Sequence, residues 1–266
     1  KKLKAMSPKS ISLPVIFALL GLLLSSCEKV IDVDLNSDDP KTVIEANLAE
    51  GQHTFHVRVY QTKDYFSDAP TVYFDNASVT LSDEEGVSIS LTPVGEGRYE
   101  APVNAVAGKT YTLQVINDGE TFTAKSMLPE VVELKQLSYK EIDLPGEENN
   151  QEVYLHFDDK ADVHNYYRVL VMSNDSLEQD LQYFDDKYID GNDVQWSLIN
   201  LYNKGIHLDV ELRSIDAAAY RYYHTLAPIL SGNTDTAPGN PDGNWSGGAL
   251  GYFIAYSSSR MGGVVE

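Results

Sequence analysis

Short segments in which apolar and polar residues alternate recur along the chain after its first 40 residues. Residues 54–60 alternate in this way, as a strand does when one of its faces is buried. Turn residues separate such segments, and the pair Asp118-Gly119 between two of them is a strong hairpin signal. Evenly spaced short strands predict a β-sandwich domain over residues 41–128, immunoglobulin-like or transthyretin-like in type.

The strand pattern continues after Pro129, and we predict a second β-rich domain over residues 129–266. Four strands are predicted in this part, followed by a fifth near the end of the chain: 133–140, 152–157, 166–172, 206–213 and 249–256. One short helix near 216–230 interrupts the pattern, with Asp216 as its N-cap. A long loop rich in Gly, Asn and Pro follows it at 231–247, and loops of that length are usually functional or mobile. The predicted fold class is therefore mainly β.

The first 26 residues have the pattern of a secretory signal peptide. Four lysines and no acidic residue precede an apolar run at 13–24, and small residues follow it. At 12 residues the run is shorter than the roughly 20 needed to span a bilayer. Residues 1–26 are thus predicted to be removed from the mature protein.

Cys27, the single cysteine of the chain, comes directly after Leu24-Ser25-Ser26. This ending resembles the lipobox of bacterial lipoproteins, in which signal peptidase II cuts before the cysteine and its thiol receives a diacylglycerol anchor with palmitate chains. The alternative is an ordinary signal peptide with a chance cysteine. Residues 27–40 form an acidic tether that resembles the surface-export signals of Bacteroidota lipoproteins, although acidic runs are more commonly solvated spacers.

The charge of the chain narrows the classes of partner. Residues 1–26 contain four of the 20 basic side chains and none of the 40 acidic ones, so the remainder has a formal charge of −24. Such a surface repels nucleic acid and anionic membranes, and no nucleic-acid partner is predicted. With Cys27 acylated, no thiol is left for a disulfide, a metal or catalysis.

Motifs of known catalytic chemistry are missing from the sequence. It contains no HExxH, no GxSxG and no phosphate-binding glycine loop. In so acidic a chain, a pair of carboxylates for glycoside hydrolysis is always possible. However, nothing in the sequence fixes two of them at the separation that this reaction requires. We predict a protein that is not an enzyme and needs no cofactor; a secreted hydrolase with an unrecognised site is the remaining enzymatic possibility.

Two groups of residues are candidates for binding. Asp186, Asp190 and Asp193 surround a glycine and are weak candidates for calcium ligands; the alternative is a turn or solvated loop, in which Asp and Gly are favoured for backbone reasons. Separate oxygen-rich sets occur elsewhere, among them Asp158, Asp159 and Asp162, with the same alternative. Trp245 and Tyr252 flank the glycine pair of the long loop and are candidates for a contact surface.

Several segments, in the same order along the chain, resemble the Bacteroidota lipoprotein family catalogued as domain of unknown function 4249. They are residues 27–35, 40–46, 165–169, 220–226 and 247–257. In that family the closing pattern is typically Gly-Gly-Leu-Gly; here Ala249 is inserted after the glycines. The resemblance covers nearly the whole mature chain and carries over no catalytic residue.

The resemblance implies an outer-membrane lipoprotein, lipid-anchored and often encoded beside a TonB-dependent receptor. The leading hypothesis is a non-enzymatic accessory or cargo-binding subunit of a TonB-dependent nutrient transporter at the cell surface, with that receptor as partner. The alternative is a structural or adhesive surface lipoprotein that binds matrix or envelope proteins.

Overall fold

A parallel pairing between the two ends of the folded chain organises the structure. The computed structural model describes residues 39–63, 67–143, 150–232 and 239–266. Strand β1 (Thr42–Ala49) pairs in parallel with β16 (Leu250–Val264), from Val43 opposite Leu250 to Ala49 opposite Tyr256. Residues Asp39–Glu266 form one compact unit. The predicted signal peptide at 1–26, the lipidation residue Cys27 and residues 28–38 of the tether lie outside the described residues.

Short antiparallel strands fill most of the remaining described chain. In sequence order they are β2 (Gly51–Gln61), β3 (Ser78–Asp83), β4 (Ser88–Ser90), β5 (Thr92–Gly95), β6 (Arg98–Ala105), β7 (Thr110–Asn117), β8 (Glu120–Met127), β9 (Leu134–Glu141), β10 (Asn150–Asp158), β11 (Tyr166–Ser173), β12 (Ser176–Leu177), β13 (Gln182–Asp185), β14 (Asp193–Asn203) and β15 (His207–Ile215). A helix, α1 (Ala217–Ser231), lies between β15 and β16.

Three sheets arise from these strands within the described residues. A 9-stranded sheet has the order β12-β11-β15-β16-β1-β2-β6-β5, with β13 also paired to β11. The two smaller sheets have the orders β14-β10-β9 and β4-β3-β7-β8. The large sheet therefore contains strands from both halves of the chain.

Both small sheets pack against the same face of the large sheet. On β16, Phe253 and Ala255 belong to a first core with β3, β7 and β8, while Met261 packs on a second core with β9, β10 and β14. These three positions differ by even numbers, so their side chains share one face of the strand. The two sandwich cores are thus neighbours along one continuous sheet.

Helix α1 covers the opposite face. Ile254 points away from Phe253 and packs with Ile215, Ala219 and Tyr223, in a third cluster rich in tyrosine. Asp216 is the N-cap, as predicted, and its Oδ1 accepts a hydrogen bond of 2.8 Å from Ala219 N. The cap carboxylate also accepts from Ser126 Oγ at 2.7 Å and from Met127 N at 3.0 Å. One carboxylate therefore connects the helix to β8 of the first core.

A glycine permits the close approach of β1 and β16. Gly251 has φ +93° and lies opposite Ile44, and a Cβ at this position would be 2.2 Å from the Ile44 carbonyl oxygen. A positive φ and a contact of that length exclude other residues. The same carbonyl accepts a hydrogen bond of 3.1 Å from Trp245 Nε1. The end of the long loop is thus hydrogen-bonded to β1 beside its pairing with β16.

The predicted fold class is confirmed: the described chain is mainly β, with a short helix at the expected place. The Asp118-Gly119 hairpin joins β7 to β8, with positive φ at both residues. Strand β14 was not predicted. Between Ser197 and Leu201, β14 has more residues than the β10 segment opposite it, so the alternation of buried and exposed residues within β14 is broken.

The domain division at residue 128 stays a prediction. The first core contains Leu128 and the second contains Val132, so the cores change over at the predicted place. However, Ala249, Phe253 and Ala255 of the C-terminal part belong to the first core. The large sheet continues across both cores.

Replacing Asp216 by alanine is expected to destabilise the fold. The variant loses a helix cap and leaves Ser126 Oγ and Met127 N without their acceptor. A lost cap and an unpaired buried donor each cost roughly 1 kcal/mol or more, so unfolding in urea should show a loss of about 2 kcal/mol. Asp216→Asn, which can still cap, should lose less; an equal loss would contradict this role of the carboxylate.

The same carboxylate gives a pH dependence of known sign. Burial raises the pKa of Asp216 above its ordinary value of 3.8. The folded state then binds the proton more tightly than the unfolded state. The contribution of Asp216 to the free energy of unfolding is therefore largest at low pH and falls as pH rises through the folded-state pKa. The free energy of unfolding of the wild type minus that of Asp216→Asn should therefore decrease as pH rises from 3.8. A constant or increasing difference would be inconsistent with this burial effect.

Candidate functional site

A cavity lies where the chain crosses from the first core to the second. Its volume is about 670 Å³, and the linker between β8 and β9, the loop between β10 and β11 and the start of α1 form its walls. We call it the junction cavity. Its apolar lining residues include Met127, Pro129, Val132, Val163, Tyr166 and Ile215. Small-molecule sites are commonly cavities of roughly 300–1,000 Å³ with mostly apolar walls, so the size fits that class.

A few polar groups converge on this apolar cavity. Lys135 and Asp158, on neighbouring strands, form an ion pair at its wall, and their hydrogen bond raises the pKa of Lys135. Lys160 and His164 come from the loop between β10 and β11. Asp216 lies at the third wall, at the start of the helix. Charged groups of both signs are therefore available to orient a ligand whose body is apolar.

Three aspartates come together beside the junction cavity. Carboxylate oxygens of Asp159, Asp186 and Asp190 all lie within 4.8 Å of one another, and Asp159 and Asp186 are buried. His164, which lines the cavity, has its Nδ1 2.7 Å from Asp186 Oδ1. The acidic cluster and the cavity are thus adjacent.

The protein itself supplies hydrogen-bond donors to these carboxylates. Asp159 accepts from Tyr167 Oη at 2.5 Å and from Gly191 N at 3.0 Å. Asp186 Oδ2 accepts from Asn165 N at 2.5 Å. These bonds hold the loop after β10 against the turn after β13, and they stabilise negative charge there.

The structure rearranges the predicted calcium candidates. Asp186 and Asp190 are in the cluster, whereas Asp193 lies opposite Asp158 at the end of the β10–β14 ladder. The third member is Asp159, which was predicted in a separate set with Asp158 and Asp162. Three carboxylates at this spacing offer hard oxygen ligands, the type that calcium prefers. Calcium binding itself stays a prediction.

The two aromatic candidates have different surroundings. Trp245 is half-buried, packs on the first core and donates to the Ile44 carbonyl, so it stabilises the fold. Tyr252 packs on Tyr222 with ring centroids 5.0 Å apart, and its hydroxyl accepts from Asn47 Nδ2 at 3.4 Å. A partner contact through these residues stays a prediction.

Comparison with known proteins places most of the chain in one family. Residues 28–261 match the model of a family described as "Domain of unknown function (DUF4249)". No curated protein matches the chain. In the described residues, no helix combines the length and apolar character needed to cross a membrane.

Two solved structures illustrate the level of structural likeness. A two fibronectin type-III domain segment from chicken tenascin is 14% identical, covering 86% of this chain and 99% of that one at a TM-score of 0.25. A cytokine receptor complex is 12% identical, covering 82% and 94% at a TM-score of 0.29. Likenesses at this level carry no information about function.

Calcium is expected to raise the thermal stability of the protein if the acidic cluster binds it. A ligand that binds only the folded state stabilises it by mass action, so Tm should increase with calcium concentration. The increase should disappear in Asp190→Asn and persist in Asp193→Asn, which changes a carboxylate outside the cluster. An unchanged Tm in millimolar calcium would show that hydrogen bonds alone stabilise the cluster.

Proposed function

This chain belongs to the family of domain of unknown function 4249, and we propose that it is a lipid-anchored, non-enzymatic binding protein. Its place is the bacterial outer membrane, facing outward, where it binds cargo or the receptor of a TonB-dependent nutrient transporter. The chemistry of the anchor is that of a lipobox cysteine, Cys27, followed by an acidic tether. Three separate observations support the proposal: the family membership, the lipobox and the cavity.

The observation that carries the proposal is the junction cavity. It combines a volume of about 670 Å³ with largely apolar walls and charged groups of both signs, Glu130 and Glu133 among them. The volume and the apolar walls are typical of binding sites for small molecules. The Asp216 carboxylate joins the first core to the helix at this wall, so the geometry is formed before a ligand arrives. A preformed site reduces the ordering cost of binding. Capture of cargo fits such a cavity better than adhesion, which needs a broad exposed surface.

Lipidation of Cys27 is expected to be directly detectable. Cells grown with an alkyne analogue of palmitate should label the wild-type protein and not Cys27→Ala, because the thiol holds the diacylglycerol whose acyl chains contain the label. Ser26→Ala is the matched control, since it keeps a small residue before the cysteine and should be labelled normally. Equal labelling of Cys27→Ala would exclude the proposed anchor.

The partner is expected to be a TonB-dependent receptor. Tagged wild-type protein, purified from its native membrane in mild detergent, should bring such a receptor with it. Recovery of matrix or other envelope proteins instead would favour the adhesive alternative, and recovery without any partner would count against both roles.

Filling the junction cavity is expected to reduce its capacity for apolar molecules. Val163 lines the cavity and is 42% exposed, so Val163→Trp places a large side chain in it. Nile red, an uncharged dye, should bind the wild type and bind the variant several-fold more weakly by fluorescence titration. Val94→Trp is the control, because Val94 is 45% exposed and lies on edge strand β5. Equal effects of the two substitutions would show that the dye binds elsewhere.

A further inference from the structure

A second cavity lies on the helix side of the large sheet and shares no lining residue with the junction cavity. Its volume is about 360 Å³, and β11, β15, β16 and α1 contribute to its walls. We call it the tyrosine–arginine pocket. The residues that give it chemical character are Asn47, Arg168, Arg213, Tyr222, Tyr223 and Tyr252.

Arg168 is a cation without an anionic partner in the described part of the chain. Its guanidinium carbon lies 4.3 Å from the centroid of the Tyr223 ring, and its Nε is buried with no hydrogen-bond partner. A guanidinium has five N–H donors in a planar fork. Because Nε is closed to solvent, a ligand would bond the two Nη groups, for which the described residues supply no hydrogen-bond acceptor.

The neighbour of Arg168 across the sheet is also an arginine. Arg168 lies opposite Arg213 in the β11–β15 ladder, an unfavourable pairing for like charges. Glu211 binds Arg213 through two hydrogen bonds, of 2.8 and 3.2 Å, and also accepts from Arg260 at 3.0 Å. One carboxylate therefore serves two other arginines, and Arg168 forms no ion pair with a described residue.

Tyrosines at the pocket wall add hydroxyl groups to it. Tyr222 and Tyr252 line the pocket, and burial raises the pKa of both phenols, so they stay protonated at neutral pH. The Tyr252 oxygen accepts from Asn47, which leaves its own proton available to donate. Leu170, Leu177 and Leu226 provide apolar wall beside these groups.

Acidic residues at the same pocket limit the charge of a ligand. Glu178 and Asp180 also line it, and Asn200 bonds both carboxylates. A second negative charge on the ligand would be repelled there, whereas a neutral or cationic body would not. An arginine fork matches a single carboxylate, and tyrosine and leucine match an aromatic or apolar body. We propose that the tyrosine–arginine pocket binds small organic monocarboxylates, with Arg168 as the residue that pairs with the carboxylate.

The proposal is tested by calorimetric titration of the purified protein with three probes. N-acetyl-L-phenylalanine has one carboxylate and an aromatic body, N-acetyl-L-phenylalanine amide is its neutral counterpart, and inorganic phosphate has more charge and no body. The acid should bind at least about tenfold more tightly than the amide, as expected for a charge-assisted bidentate pair, and phosphate should bind more weakly than the acid. Equal affinity for acid and amide, or no binding of the acid at millimolar concentration, would overturn the proposal.

Substitutions then locate the binding site. Arg168→Gln should reduce the affinity for the acid to that of the amide, and Tyr252→Phe should weaken it by a few-fold. Arg98→Gln is the control, since Arg98 is on β6, is 54% exposed and lies outside the pocket. If Arg168→Gln folds poorly, Tyr252→Phe still decides the question, because it removes one hydroxyl and no charge. Unchanged affinity in the folded variants would refute the assignment, and neither result depends on the function of the junction cavity.

Discussion

The parallel pairing of β1 with β16 is the contact on which the other features of the structure depend. It joins residues about 200 positions apart, from Val43 opposite Leu250 onward, and it makes one large sheet from both halves of the chain. Because β16 then extends past both small sheets, Phe253 and Met261, which lie on the same face of the strand, pack in two different cores. Its other face receives α1 through Ile254. A pairing this non-local has a large loop-closure cost, and Gly251 makes its close approach to Ile44 sterically possible.

Electrostatic pairing differs between the junction cavity and the tyrosine–arginine pocket. Beside the junction cavity, backbone and tyrosine donors compensate clustered carboxylates such as Asp159 and Asp186. At the tyrosine–arginine pocket, Glu211 binds Arg213, and tyrosine rings lie against the guanidinium groups of Arg168 and Arg213. Arg168 itself forms no ion pair with a described residue. The strongly acidic composition therefore describes the surface as a whole and not each site. Local pairing decides which ligand charge each cavity favours.

Sequence patterns predicted the regular parts of the fold well. The alternation in β2, the Asp118-Gly119 turn and the Asp216 cap each depend on residues close together in the chain, and local physics is enough to specify them. Strand β14 was missed, since its own alternation is broken between Ser197 and Leu201. Two of the three residues of the acidic cluster were predicted together, since Asp186 and Asp190 are four residues apart. Asp159 is distant along the chain and comes close to them only because the loop after β10 folds against the turn after β13. Nothing in the sequence indicated that Arg168 forms no ion pair with a described residue.

The sequence by itself determined the β-rich class, the helix and its cap, the family resemblance and the prediction of a lipid anchor at Cys27. Each of these depends on the order of nearby residues, which the chain carries without folding. Only the tertiary structure decided that two cores share one sheet, that a cavity forms between them, and that Arg168 lies opposite Arg213 with no ion pair to a described residue. Those features depend on which strands become neighbours, and the β1–β16 pairing that sets this order joins the two ends of the folded chain.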